Sequence, residues 1–200
     1  MRGRTKRDAR GLAVTLACLA AAPAAAAEAI SVWSDISRSR CTVNDRRPAA
    51  ARDAHDPVIY RCRTLPGRSV TLRFGGTAVA ITFVTEGAAA PEPQLSTGYD
   101  VGPRIEWRGA GRGRAFAPQA AILRLVERDG TGKPGSALAV MKVQGARLCA
   151  VAFVEGSRPA ANEEARVLAD AAGAFRCDID PPKLVGDASP AARAIWERNR

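Results

Sequence analysis

The chain of 200 residues has one histidine, His55, and no pair of cysteines at C-x-x-C spacing. A structural zinc site is built from four ligands at local spacings such as C-x2-C or H-x3-H, so this composition leaves no metal centre of that kind. The missing C-x-x-C removes the usual redox pair as well. Neither a G-x-S-x-G nucleophile elbow nor an S-x-x-K motif occurs. Arg108-Gly109-Ala110-Gly111-Arg112-Gly113-Arg114 approaches a dinucleotide fingerprint, but Arg114 stands where its last glycine belongs and Pro118 blocks a following helix. The segment reads instead as a flexible, solvated loop. No cofactor, metal ligand or catalytic group can be assigned from motifs.

Long apolar runs are also missing. The longest begins at Gly11 and ends near Ala22, short of the roughly 20 residues a bilayer span needs. It follows Arg2, Arg4, Lys6, Arg7 and Arg10 and precedes Ala25-Ala26-Ala27-Glu28-Ala29. A basic stretch, an apolar stretch and an A-x-A site form a secretory signal, here residues 1–27. The competing reading is lipid attachment at Cys18, because Thr15-Leu16-Ala17-Cys18 resembles a bacterial lipobox.

The formal net charge of +10 falls to +6 without residues 1–27, with 25 basic residues against 19 acidic. Only three of those 25 are lysine: Lys133, Lys142 and Lys183. Arginine scattered through an alanine-rich chain has the look of a GC-rich coding sequence, and an exported protein meets little nucleic acid. Nucleic acid is therefore not an expected partner; attraction to anionic polymers of the cell envelope is compatible with the charge.

Beyond the leader stand Cys41, Cys62, Cys149 and Cys177. In an oxidising compartment an even count is read as disulfides, and four cysteines allow three pairings. Geometry favours Cys149 with Cys177. A strand from Cys149 to Val154 rises about 17–20 Å, and a helix over about Ala160–Ala174 descends about 22 Å, which brings Cys177 back level with Cys149. Cys41 and Cys62 form the second pair.

The period-2 alternation of Val70, Leu72 and Phe74 with Thr71 and Arg73, continued by Val79, Ile81 and Phe83 after Gly75-Gly76, predicts a β-meander opened by Val58–Cys62. A second set covers Ile122–Arg128, Leu138–Val143 and Leu148–Val154, with a short strand at Ile105–Arg108. Ala161, Ala165, Leu168, Ala169, Ala172 and Phe175 form one helical stripe. The expected fold is α+β: an antiparallel sheet or meander with one main helix packed on a face, braced by disulfides. The expected organisation is a signal peptide over 1–27, an irregular N-terminal arm over 28–57, a single α+β domain over 58–180 and a C-terminal tail over 181–200 with a short helix from Pro190 to the end.

The motif Tyr60-Arg61-Cys62, followed by short alternating strands to Val84, resembles the bacterial inhibitors of C-type lysozyme, small disulfide-bearing β proteins of the envelope. The wider pattern is similar to uncharacterised exported bacterial (periplasmic) proteins: Arg104–Gly109, Ala121–Arg124, Leu148–Val151, and Asn162 to Ala169-Asp170 before Phe175-Arg176-Cys177. That resemblance implies an envelope location and no activity. The expected function is a non-enzymatic binding domain, periplasmic or secreted, for a macromolecule of the envelope. The alternative is a hydrolase using His55 and a loop carboxylate. Intact-mass measurement of protein recovered from the envelope is expected to place the N-terminus at Glu28 or Ile30; an acylated Cys18 terminus would establish the lipoprotein instead.

Overall fold

The computed structural model describes residues 29–43, 56–89, 92 and 94–200. The predicted meander forms as β3 (Val58–Arg63), β4 (Arg68–Gly75) and β5 (Ala78–Thr85), antiparallel neighbours with Cys62 opposite Val70 and Leu72 opposite Ile81. The two-residue strand β2 (Thr42–Val43) and the three-residue β6 (Leu95–Thr97) flank it, giving the five-stranded sheet B in the order β2-β3-β4-β5-β6. Gly76 takes φ +59° in the tight turn between β4 and β5, a conformation open to glycine at no steric cost.

The second strand set does not extend that sheet. It forms sheet A, six strands in the order β1-β7-β8-β9-β10-β11. Its members are β1 (Ile30–Asp35), β7 (Asp100–Ala110), β8 (Ala117–Arg128), β9 (Pro134–Gln144), β10 (Arg147–Glu155) and β11 (Lys183–Val185). All pairs are antiparallel except β10 with β11. The expected single sheet is thus two, packed face to face. Strand β1 lies within the segment read as an irregular arm. Its short alternation carries little period-2 signal, and its place is set by pairing with β7.

The glycine-rich segment after Trp107 is a hairpin connection and not a loose loop. Gly109 and Ala110 end β7, Gly111 turns with φ +82°, and residues Gly113–Ala115 make one 3-10 turn into β8.

Two cores result. Val70, Leu72, Val79, Ile81 and Phe83 of sheet B meet Ile105, Trp107, Leu123, Leu125, Met141 and Phe153 of sheet A. Trp107 and Phe83 touch edge to face across the layers, with ring centroids 6.1 Å apart; the indole Nε1 donates to Ser34 Oγ at 3.0 Å. On the other face of sheet A, Ile122, Leu138, Val140, Val151 and Val154 pack against α1 (Ala161–Asp170). The buried alanines Ala161, Ala165 and Ala169 let that helix approach closely. A 3-10 turn, Ala172–Ala174, replaces the last predicted helical turn, and Lys142 Nζ donates to the Gly173 and Phe175 carbonyls there at 2.8 and 2.7 Å.

A second helix, α2 (Pro190–Asn199), forms where the short helix from Pro190 was expected in the tail, and it is as long as the one main helix. Ser189 caps it by accepting from Ala192 N, and Pro190 occupies the first turn, where a missing N–H costs nothing. Ala192 and Ile195 enter the inter-sheet core, so α2 closes the sandwich where sheet B leaves sheet A uncovered. The Asn199 amide pairs with both backbone groups of Ser96, at 2.6 and 2.8 Å, in place of another strand along β6. Trp196 Nε1 donates to the Pro182 carbonyl at 2.9 Å.

Both disulfides form in the predicted pairing. Cys41–Cys62 joins the segment before β2 to β3 with Cα atoms 4.3 Å apart, and Cys149–Cys177 joins β10 to the chain beyond α1 at 5.9 Å. They close loops of 21 and 28 residues. On the chain-entropy model each stabilises by about 3–4 kcal/mol. The variant Cys149→Ser/Cys177→Ser is expected to lose about that much in urea unfolding, with both midpoint and reducing-agent sensitivity reporting it; an unchanged midpoint would show that the crosslink constrains nothing.

Candidate binding surface

Among the described residues three carboxylates are buried, and each is occupied by the fold. Glu106 lies on the α1 face of β7, only 3% exposed. Its Oε1 accepts from Arg166 Nε at 2.7 Å and its Oε2 from Arg166 Nη2 at 3.3 Å, while the Ser31 hydroxyl donates to Oε1. Arg108 donates to Ser31 Oγ at 2.8 Å and forms a two-pronged pair with Asp170 at 2.8 and 2.6 Å. Hydrogen bonding to Asp170 raises the Arg108 pKa above its ordinary value, and hydrogen bonding to Glu106 does the same for Arg166. The composition of a serine beside a carboxylate is that of a nucleophile and a base. Here Arg166 engages both carboxylate oxygens and Arg108 takes the accepting side of the hydroxyl. The group is a clamp holding α1 to β7.

Glu127 accepts from the backbone of Gly98 at 2.7 Å and of Arg128 at 3.2 Å, with Arg198 of α2 at 3.4 Å. A Cβ on Gly98 would fall on that carboxylate, so a larger residue there would displace Glu127 from its partners. Glu155, 2% exposed, accepts from the backbone and hydroxyl of Ser157 at 3.1 and 3.0 Å and from Ser189 N at 2.7 Å. Burial pushes its carboxyl up, but the donors at Ser189 and Ser157 outweigh burial and leave it below the ordinary carboxylate range.

The remaining sequence candidates do not converge. His55 lies outside the described residues. Asp180 is tied to Arg176 at 2.7 Å, and the exposed Glu86 sits beyond β5. Among the described residues no three His, Cys, Asp or Glu side chains are grouped to hold a metal ion. The four cysteines are spent in disulfides.

What remains is the outer face of sheet B. The strands of this sheet contain no acidic residue. Cys62, Val70 and Leu72 point into the core, so Arg61, Arg63 and Arg73 project the other way and are exposed. Register sets Arg61 opposite Thr71, Arg63 opposite Ser69 and Arg73 opposite Ile59, with Thr82 and Ser96 continuing the rows. Among the described residues none of the three arginines is in an ion pair, whereas Arg38, Arg108, Arg158, Arg166 and Arg176 all are. A groove of about 570 Å³ borders the face, lined by Arg61, Arg63, Arg68, Ser69 and Thr85, with Glu86 on its wall. Arg68 itself bridges the sheets, donating to the Gly145 carbonyl at 3.0 Å; its burial lowers the guanidinium pKa.

Composition alone concealed this surface. The arginines are ordinary members of an arginine-rich chain until strand parity and register gather them on one face. The available signal was Arg61 and Arg63 flanking Cys62, with Arg73 two residues beyond Thr71. No family model, no curated protein and no solved structure matches the chain.

Glu155 gives a pH test of the buried carboxylates. Its folded pKa is depressed, so its contribution is fully present above its unfolded value of about 4.3 and is lost as pH falls through the folded one. Glu155→Gln is expected to cost about 1–3 kcal/mol at pH 7, because an amide N–H₂ meets backbone donors. The gap to the parent should begin to narrow as pH falls below about 4.3 in urea melts and continue to shrink as pH passes the depressed folded value. A gap that persists unchanged into acid would show that the carboxylate charge contributes nothing.

Proposed function

We propose that the protein is an exported, non-enzymatic domain that binds a macromolecule of the cell envelope through the outer face of sheet B. The single observation that carries this reading is the row of exposed arginines, without ion pairs among the described residues, on a sheet face with no acidic residue in its strands. Arg104, Arg112, Arg114 and Arg193 are also exposed and without an ion pair among the described residues, but strand register gathers Arg61, Arg63 and Arg73 on one face. Leaving three together without partners raises the local positive potential and costs self-repulsion, which a bound anion relieves. Two disulfides suit an oxidising compartment, periplasmic or extracellular. Among the described residues no helix is long and apolar enough to cross a membrane. Every buried carboxylate has a structural partner, which supports binding over hydrolysis.

Co-sedimentation with isolated cell envelopes tests the reading. The parent protein is expected in the pellet at low salt, and the variant Arg61→Glu/Arg63→Glu/Arg73→Glu in the supernatant, with the melting temperatures of the two within a few degrees. Equal partition of both proteins would remove this face from any role in binding.

A further inference from the structure

The outer face of sheet B also carries information about what it binds. We infer that its ligand is a linear acidic polysaccharide, a glycan bearing carboxylates, laid across β3 and β4; the inference rests on the binding role of this face proposed above.

The spacing comes from the strands. Arg63 and Arg61 are two residues apart on β3, so their Cα atoms stand about 7 Å apart. Arg73 of β4 faces Ile59 of β3, one diagonal step beyond the Arg61–Thr71 pair, and such steps are about 7–8 Å. The three guanidiniums therefore spring from a gently bent line of about 15 Å, one positive charge per 7–8 Å. An extended polymer with its charges at comparable intervals meets all three; a single small anion meets one.

The chemistry of the face selects among polyanions. A guanidinium presents a planar fork that matches a carboxylate with two parallel hydrogen bonds. Ser69 and Thr71 stand beside the arginines, and Thr42, Thr82 and Ser96 extend these short hydroxyls over the neighbouring strands of the same face. Each is donor and acceptor at once, the complement of a sugar hydroxyl. No aromatic side chain lies on this face: Tyr60 and Phe74 point inward and pack edge to face on each other at 5.7 Å. Single-stranded nucleic acids are held on sheets by stacking bases on aromatic rings, so that mode is closed here. Protein partners use buried aromatic or aliphatic anchors, and the apolar residues outward here, Ile59, Ala80 and Val84, are already half-buried. Membrane attachment by an interfacial surface requires an apolar wedge, which the face also lacks.

The experiment uses the oxidised full-length mature protein and titrates polygalacturonate, with neutral dextran, a single-stranded oligonucleotide and vesicles containing anionic lipid as parallel probes. Binding of polygalacturonate is expected to weaken with salt with a log–log slope of roughly −2, three contacts at about 0.7 each as for single-stranded polyanions. Each single substitution Arg61→Ala, Arg63→Ala or Arg73→Ala should cost about two- to five-fold, the range for exposed ion pairs. Thr71→Asp, which leaves the arginines in place and sets among them a carboxylate that repels the ligand's own, should weaken binding at least as much as one arginine deletion. The triple Arg→Lys variant should keep the salt slope and lose affinity, since the charge remains and the fork does not. Tighter binding to the oligonucleotide or to vesicles than to polygalacturonate would overturn the polysaccharide assignment, as would equal binding to dextran. If the arginine variants abolish envelope co-sedimentation while polygalacturonate does not bind, the ligand class is wrong and the face still binds. Arginine variants that bind both envelopes and polygalacturonate as the parent does would remove the face itself.

Discussion

Strands β8, β9 and β10 have no face left for water, and the arrangement of the whole molecule follows from that. Leu123, Leu125, Met141 and Phe153 look toward sheet B, while Ile122, Leu138, Val140 and Val154 look toward α1. A strand apolar on both sides must be covered on both sides, since a fully buried side chain of this size gains about 1.5–3 kcal/mol over an exposed one. Sheet B covers most of one face and α2 the rest; α1 covers the other. The layers are thus sheet B, sheet A and helix, and sheet B has only its inner side consumed by packing. Its outer side is free to carry arginine, threonine and serine because nothing in the core depends on them.

Polar contacts fasten these layers where apolar packing ends. Arg166 with Glu106 and Arg108 with Asp170 hold α1 to β7, beyond the alanine stripe that seats the helix over β8 to β10. Glu155 joins the end of β10 to the start of α2, and Asn199 at the far end of that helix satisfies the edge of β6. A buried carboxylate without donors would be costly, and each one here is matched by N–H or O–H groups from a different element. Such pairs contribute less net energy than the apolar core, but removing one partner strands the other in a dry site. They fix where each helix stops and how it is turned.

The meander of β3, β4 and β5 was legible because Val70, Leu72, Val79 and Ile81 alternate with polar residues on a half-exposed sheet, the case in which period 2 is clean. The helix over Ala161–Asp170 was legible from a single stripe. Strand β1 was not, since an edge strand gains its identity from a partner far along the chain, Ile30 meeting Gly109 and Asp35 meeting Arg104. Helix α2 was legible as a short helix from Pro190, but its insertion between the sheets was not, because that depends on which strands leave space for it. The pairing of two sheets was also hidden: alternation tells which side of a strand is apolar and not which other strands that side will meet. The arginine face was obscured for the same reason, as each residue looks like background composition until register sets it beside the others.

Local chemistry alone determined the strand parity of sheet B, the apolar stripe of α1 and the joining of Cys149 to Cys177, because a strand, a turn and a helix of known rise return the chain to its starting level. Tertiary structure decided that the strands divide between two sheets, that α2 closes the space between them, and that Arg61, Arg63 and Arg73 share one open surface. Those outcomes depend on contacts between residues far apart in the chain, whose formation is governed by the total apolar area covered and not by any short run of residues.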